Sequence, residues 1–231
     1  MILFNTNLFS VATLTLVLFM NTRAQQVQVC LGDTAAVCTG QTVQIQNCQG
    51  GSQNPAGITL NSPTVIPQLM DDNWSGVHPI GFNFNFYGNN VTQFIIGSNG
   101  VISFNIGQAG GGCAWALNGV GQLPTAGFPS AHNAVMPCYT DINPNAPGNV
   151  GNIQYQTLGT APNRQLVILF REIGAFSCNQ NVCHYFATIL YETSNVVEFH
   201  LGSKPICGTW NGGLAIQGIQ GPGGAAATTT P

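Results

Sequence analysis

Asp141, Asn143 and Asn145 carry a side-chain oxygen at every second residue of D-I-N-P-N, the spacing with which a loop wraps a calcium ion, and Asp71-Asp72 could add charge to such a site. An EF-hand loop also needs Gly at its sixth position and Glu at its twelfth; here those are Ala146 and Asn152. The competing reading has Asp141 capping turn amides beside Pro144. His78, His132, His184 and His200 are far apart in the chain, and no Cys pair stands at CxxC, so the expected metal complement is none beyond that calcium candidate. No Gly-x-Ser-x-Gly elbow occurs, and Ser98 precedes a turn rather than sitting on one. Glu172, Glu192 and Glu198 are too few for their spacing to define a glycosidase pair. The residues therefore predict no catalytic set and no cofactor. Trp74, Trp115 and Trp210, with Tyr87, could form a platform on which a sugar ring stacks. The alternative packs them over the ends of the fold near Cys113 and Cys207. Tryptophans gathered on an exposed surface would favour a carbohydrate-binding module; two or more carboxylates converging in a cleft would favour a hydrolase.

The opening M-I-L-F-N-T-N-L-F-S-V-A-T-L-T-L-V-L-F-M-N-T-R-A has an apolar run from Leu8 to Met20, short for a membrane span and followed by small residues. Residues 1–24 read as a secretory signal cut after Ala24, leaving no membrane span. All eight cysteines (Cys30, Cys38, Cys48, Cys113, Cys138, Cys178, Cys183 and Cys207) follow that cut. An even count in an exported chain predicts disulfides and no free thiol. Cys178 with Cys183 is the pair expected from proximity, and Cys113 with Cys207 follows from the nearby tryptophans. Only 5% of residues are charged, with four Lys and Arg in all. Such a chain has no basic patch for nucleic acid, and its binding is expected to depend little on salt.

The elements that would position these groups are strands. Ile80, Phe82, Phe84 and Phe86 alternate with Gly81, Asn83 and Asn85, the period of a strand with one buried face. Asn99-Gly100 predicts a two-residue type I′ hairpin with Ser98 opposite Val101, Gly97 opposite Ile102 and Ile96 opposite Ser103. That register puts Ile95, Ile102 and Phe104 on one face and Phe94, Ile96 and Val101 on the other, so the hairpin is interior. Further strands are predicted at 133–140, 152–157, 165–171, 184–191, 195–201 and 213–219. Residues 107–129 form a long Gly-rich loop expected to be held by a disulfide and packed on the strands. Residues 25–69 hold short strands and a connector, either the first strands of the main domain or the remnant of an Ig-like module. Residues 221–231, G-P-G-G-A-A-A-T-T-T-P, read as a flexible tail or linker. The fold class is all-β: an antiparallel, disulfide-stapled sandwich with long Gly-rich loops over residues 70–220.

Within that span, Gly76 to Gly88 and Gly97 to Phe104 resemble the F-x-F-x-F-[FY]-G and S-N-G-x-[IL]-S-F opening of nidogen-like (NIDO-type) extracellular domains. Ala134 to Asp141 with Gly151 to Tyr155, and His184 to Tyr191 with Val196 to Leu201, resemble later blocks of that family. The likeness is greater to a bacterial branch in gliding-motility-associated surface proteins exported by type IX secretion. Trp74 to Gly88, Asp141 to Pro144, Gly159 to Arg164, Leu190 to Glu198 and Cys207 to Gln220 carry it. The resemblance implies a secreted or cell-surface β module that is not an enzyme and serves adhesion, binding an extracellular macromolecule, a glycan or itself. The C-terminal sorting domain usual in that branch does not fall within residues 1–231, and the resemblance leads one to expect further domains beyond Pro231 in relatives, or this chain to be a fragment.

Overall fold

The computed structural model describes residues 16–17, 27–31, 58–67, 69–147, 149, 151–178 and 183–229. Cys38 and Cys48 lie outside them, and Cys30 and Cys183 are described by backbone alone. In chain order the strands are β1 (Leu16–Val17), β2 (Val27–Leu31), β3 (Thr64–Val65), β4 (His78–Phe86), β5 (Asn89–Gly97), β6 (Val101–Ser103), β7 (Ala134–Tyr139), β8 (Asn152–Leu158), β9 (Gln165–Gly174), β10 (Cys183–Tyr191), β11 (Val197–Ser203), β12 (Ile216–Gln220) and β13 (Ala227–Thr229). They form a seven-stranded sheet, β1-β2-β11-β10-β9-β8-β3, and a six-stranded sheet, β13-β12-β7-β6-β5-β4. Neighbours are antiparallel except β2, which runs parallel to β11. β1 lies inside the segment read as a signal and pairs with β2. Among the described residues no helix is long and apolar enough to cross a membrane.

The alternation in β4 survives folding intact: Ile80, Phe82, Phe84 and Phe86 are buried between the sheets. There they meet Phe94, Ile96, Ile102 and Phe104 from their own sheet and Leu166, Ile168, Phe170, Phe186 and Phe199 from the other. The link from β4 to β5 is a two-residue loop in which Phe86 faces Asn89. Tyr87 (φ 49°) and Gly88 (φ 84°) both take the left-handed conformation that a primed turn requires. As the edge of its sheet β4 would expose unpaired backbone groups. Side chains from the opposite sheet and its loops cap it instead. Asn85 N–H donates to Asn195 Oδ1 (2.7 Å), Thr157 Oγ1 donates to the Ile80 carbonyl (2.7 Å) and Arg164 Nη1 donates to the Gly81 carbonyl (2.6 Å). Glu192 holds Arg164 in place by accepting from its Nε (2.8 Å) and Nη2 (2.5 Å). This pairing brings the Glu192 carboxyl down to about 2.

The second hairpin corrects the expected register by one residue. Gly97 faces Val101, Ile96 faces Ile102 and Ile95 faces Ser103, so Ser98, Asn99 and Gly100 form a three-residue loop. Of the three, only Gly100 has positive φ, 79°. The reason is the Asn99 side chain, which is drawn inside by hydrogen bonds described below and so cannot adopt the exposed i+1 position of a primed turn. The shift exchanges faces: Ile96 and Ile102 join Phe94 and Phe104 between the sheets, while Ile95 and Val101 point outward. The hairpin is nonetheless interior, because the outer face is covered too. Residues 107–129 fold over it and pack Leu117 and Phe128 with Trp74, Ile95, Val101, Met136 and Tyr139.

The covering loop is not held by a disulfide. Cys113 is a buried free thiol, as is Cys138, and among the described residues Cys178 bonds Cys207, in place of Cys178 with Cys183 and Cys113 with Cys207. Cys183 opens β10, where it pairs with Gly174 of β9, and this carries it into the sheet; Cys178 stays in the loop that faces Cys207. Tyr139 donates its hydroxyl to the Ala114 carbonyl (2.6 Å), one of the bonds that fasten the covering loop. Burial pushes the Cys113 and Cys138 thiols up to about 12. Both should therefore resist an alkylating reagent in native protein at neutral pH and react only after unfolding. Counting labelled cysteines by mass spectrometry before and after denaturant checks this; rapid native labelling of either would contradict it.

Two shorter readings also change. β3 pairs with β8 within the expected connector, and β13 pairs with β12 within the expected tail. The tail lacks an apolar pattern, but a strand at a sheet edge needs only backbone pairing. Pro222–Gly224 makes the turn, with Gly223 and Gly224 at φ 65° and 69°. A Cβ on Gly224 would come 2.3 Å from the Thr125 carbonyl oxygen.

Candidate functional site

At one end of the sandwich, loops from five parts of the chain converge on the turn at Asn99. Its side chain is fully buried. Nδ2 donates to Asp72 Oδ1 (2.9 Å) and to the Cys113 and Ala114 carbonyls (both 3.3 Å), and Oδ1 accepts from Ile142 N–H (3.3 Å). The Asn99 carbonyl accepts from Thr140 N–H (3.0 Å). One amide thus ties the 71–75 loop, the Gly-rich loop and the segment after β7 to one point. Next to it, the Cys178–Cys207 bond joins the segment after β9 to that after β11.

These constraints assemble an aromatic group. Trp115 and Trp210 stack with ring centroids 5.5 Å apart and planes 23° apart, and Phe176 lies 5.1 Å from Trp210 on a 44° tilt. Asn211 locks the pair by donating Nδ2 to the Trp115 carbonyl (2.9 Å) and accepting from Leu117 N–H at Oδ1 (3.2 Å). Of the three tryptophans singled out in the sequence, Trp115 and Trp210 come together, Trp115 exposed and Trp210 half-buried. Trp74 is 2% exposed beneath the Gly-rich loop and has no part in an open platform. Tyr87 is partly buried against the main core.

Trp210 also reaches an acidic group, its Nε1 donating to Asp141 Oδ2 (2.7 Å). Asp141 lies with Asp71 and Asp72, their nearest carboxylate oxygens all within 4.8 Å of one another. The sequence placed Asp141 with Asn143 and Asn145. In the structure Asn143 Oδ1 accepts from Asn145 N–H (2.8 Å), so Asn143 rather than Asp141 caps that turn. Three close carboxylates are a donor set that a hard divalent cation accepts. Burial raises the Asp141 carboxyl to about 6, aided by Asp72 and Asp71 and opposed by the Trp210 bond. Asp71 is raised too, by burial and by Asp72. Neither Phe176 nor the Asn99 hub was marked by sequence; the N-G dipeptide pointed only to a turn.

The raised Asp141 makes stability pH-dependent. Its folded carboxyl titrates near 6 against 3.8 when unfolded, so the folded state holds the proton more tightly. The contribution is fully present below the unfolded value and is lost as pH rises through 6. His184 opposes it over an overlapping range: buried and near Lys204, it titrates at about 3 instead of 6.5, so its contribution is lost on acidification. Asp141→Asn separates the two. Relative to this variant, the natural protein should gain up to about 3 kcal/mol between pH 7 and pH 4. Denaturant melts of both proteins across that range check it, and parallel curves would contradict it.

Two packed antiparallel sheets with one end built from loops define a β-sandwich module. The chain belongs to the NIDO-related family, whose model matches residues 52–231, a span that takes in β3 and β13 as well as the conspicuous motifs. The family is an extracellular, generally non-catalytic type of module. Comparisons with curated proteins and with solved structures gave no significant match.

Proposed function

We propose that this chain acts outside the cell as a non-catalytic adhesion module, contacting another extracellular protein or a copy of itself through the end that carries Trp115 and Trp210. Export by the segment 1–24, and a place on a bacterial surface of the gliding-associated kind, accord with the sequence resemblance. The observation that carries the reading is the stacked indole pair with Trp115 exposed, held by a disulfide and by Asn211 so that little ordering is needed on contact. Large rigid aromatic side chains are the usual anchors of protein interfaces.

A carbohydrate-binding module would use the same indoles, and the stacked pair favours that as the second reading. A sugar also needs free hydrogen-bonding groups beside the ring. Here Asn211, Asn99 and Trp210 Nε1 are engaged in holding the loops. The convergence of Asp71, Asp72 and Asp141 is the feature a hydrolase would show, but the carboxylates pack on each other instead of flanking a substrate-sized gap.

Sedimentation of the purified chain, with a matrix-protein and glycan panel, tests the reading. Self-association or protein binding should weaken at least about tenfold in Trp115→Ala. Binding confined to glycans would establish the second reading, and turnover of a hydrolase substrate abolished by Asp141→Asn would overturn the non-enzyme assignment.

A further inference from the structure

Resting on that reading, we propose that the Trp115–Trp210 end docks a partner segment presenting a lysine or arginine side chain flanked by apolar residues. Four of the seven large apolar side chains exposed among the described residues gather here: Met70 (62%), Trp115 (37%), Ile206 (66%) and Leu214 (43%). They stand on segments that meet around Trp210 and Asp141. Trp115 lies on Trp210, a Cβ on Gly213 would touch Ile206 Cγ2 at 3.4 Å, and the Leu214 carbonyl accepts from Thr140 Oγ1 (2.8 Å) beside Asp141. Met70 precedes Asp71. Exposed apolar side chains grouped at one end mark an interaction site, whereas single scattered ones do not.

Charge complementarity selects the occupant. Three of the chain's seven acidic residues stand at this end, in a protein where 5% of residues are charged. The only other charged group of this end among those described here is Lys204, whose ammonium donates to the Gly213 carbonyl (2.6 Å). The field at the platform is therefore negative. Asp72 and Asp141 each already accept a bond, and Asp71 stands half-buried beside them. A cation laid against an indole face beside a carboxylate gains from the ring quadrupole and from the charge together. The apolar flanks of such a segment would cover Ile206 and Leu214.

The test uses the full chain and a panel of synthetic peptides with a central lysine or arginine between leucine and phenylalanine. Each is matched by a version with acetyl-lysine or glutamine at the centre. Binding is followed by tryptophan fluorescence and calorimetry. The cationic peptides should bind at least about tenfold more tightly than their neutral partners, with the difference shrinking between roughly 0.05 and 0.5 M salt. Ile206→Lys, at an exposed position, should remove most of that preference with the melting temperature unchanged, and Asp71→Asn should remove it too while raising stability at neutral pH, because burial and Asp72 disfavour the Asp71 charge. Equal binding of acetylated and free lysine peptides, or binding of neither, overturns the inference. If matrix-protein binding is still lost in Trp115→Ala, the docking end stands without the cationic partner; if it is unaffected by Trp115→Ala, both readings fail.

Discussion

Gly100→Ala is expected to destabilise the protein by about 3 kcal/mol or more, a far larger effect than its place in a short turn suggests. Two costs add. At φ 79°, a residue with a side chain loses roughly 1–2 kcal/mol. A Cβ there would also stand 2.2 Å from the Cys138 carbonyl oxygen and 3.0 Å from Phe186 Cζ, a clash with the backbone of a strand held on both sides by its neighbours. Relief requires β7 or the turn to move, and overpacking of that kind costs about 1–3 kcal/mol more. Urea melts should show a lower midpoint with an unchanged slope. A loss under about 1 kcal/mol would mean that the turn relaxes freely and that Asn99 is not held as described.

Asn99→Ala should cost about 2–4 kcal/mol, because one truncation strips a partner from several buried or half-buried groups. The Ile142 N–H, the Cys113 and Ala114 carbonyls and the Asp72 carboxylate all use this amide, and a buried group left unpaired loses about 1–3 kcal/mol. The loss should reach the Trp115–Trp210 end as well. Asp72 would be released toward Asp71, and Ala114, the neighbour of Trp115, would lose one of its tethers. Thermal melting measures the first effect, and quenching of tryptophan fluorescence by acrylamide measures the second. Near-natural stability together with natural quenching would show that the three loops hold one another without the hub. The effects of Gly100→Ala and Asn99→Ala should not add, since both act through one turn.

The strands were legible because burial on one or both faces writes itself into local order. Ile80, Phe82, Phe84 and Phe86 alternate because a pleated strand turns every second side chain inward, and β4 lies where they place it. The all-β class, the interior hairpin and the Gly-rich loop packed on an outer face follow from the same kind of reading. Family membership was legible too, since its motifs recur in order along the chain.

Register, disulfide pairing and the Trp115–Trp210 end are set by contacts between residues far apart in sequence, which leave no local signature. The true primed turn is Tyr87-Gly88, while the more conspicuous Asn99-Gly100 is a three-residue loop, because the Asn99 amide is worth more as a buried tie than at an exposed corner. Cys178 bonds Cys207 at a sequence separation of 29, passing over nearby Cys183, because bond geometry depends on the facing of loops and not on spacing. Asp141 joins Asp71 and Asp72 across about half the chain's core, and Trp115 joins Trp210. Charges too sparse in composition to suggest any field are thereby concentrated at one end. Salt dependence is accordingly expected there, although the composition argued for little: a field depends on where charges stand, and folding alone brings these together.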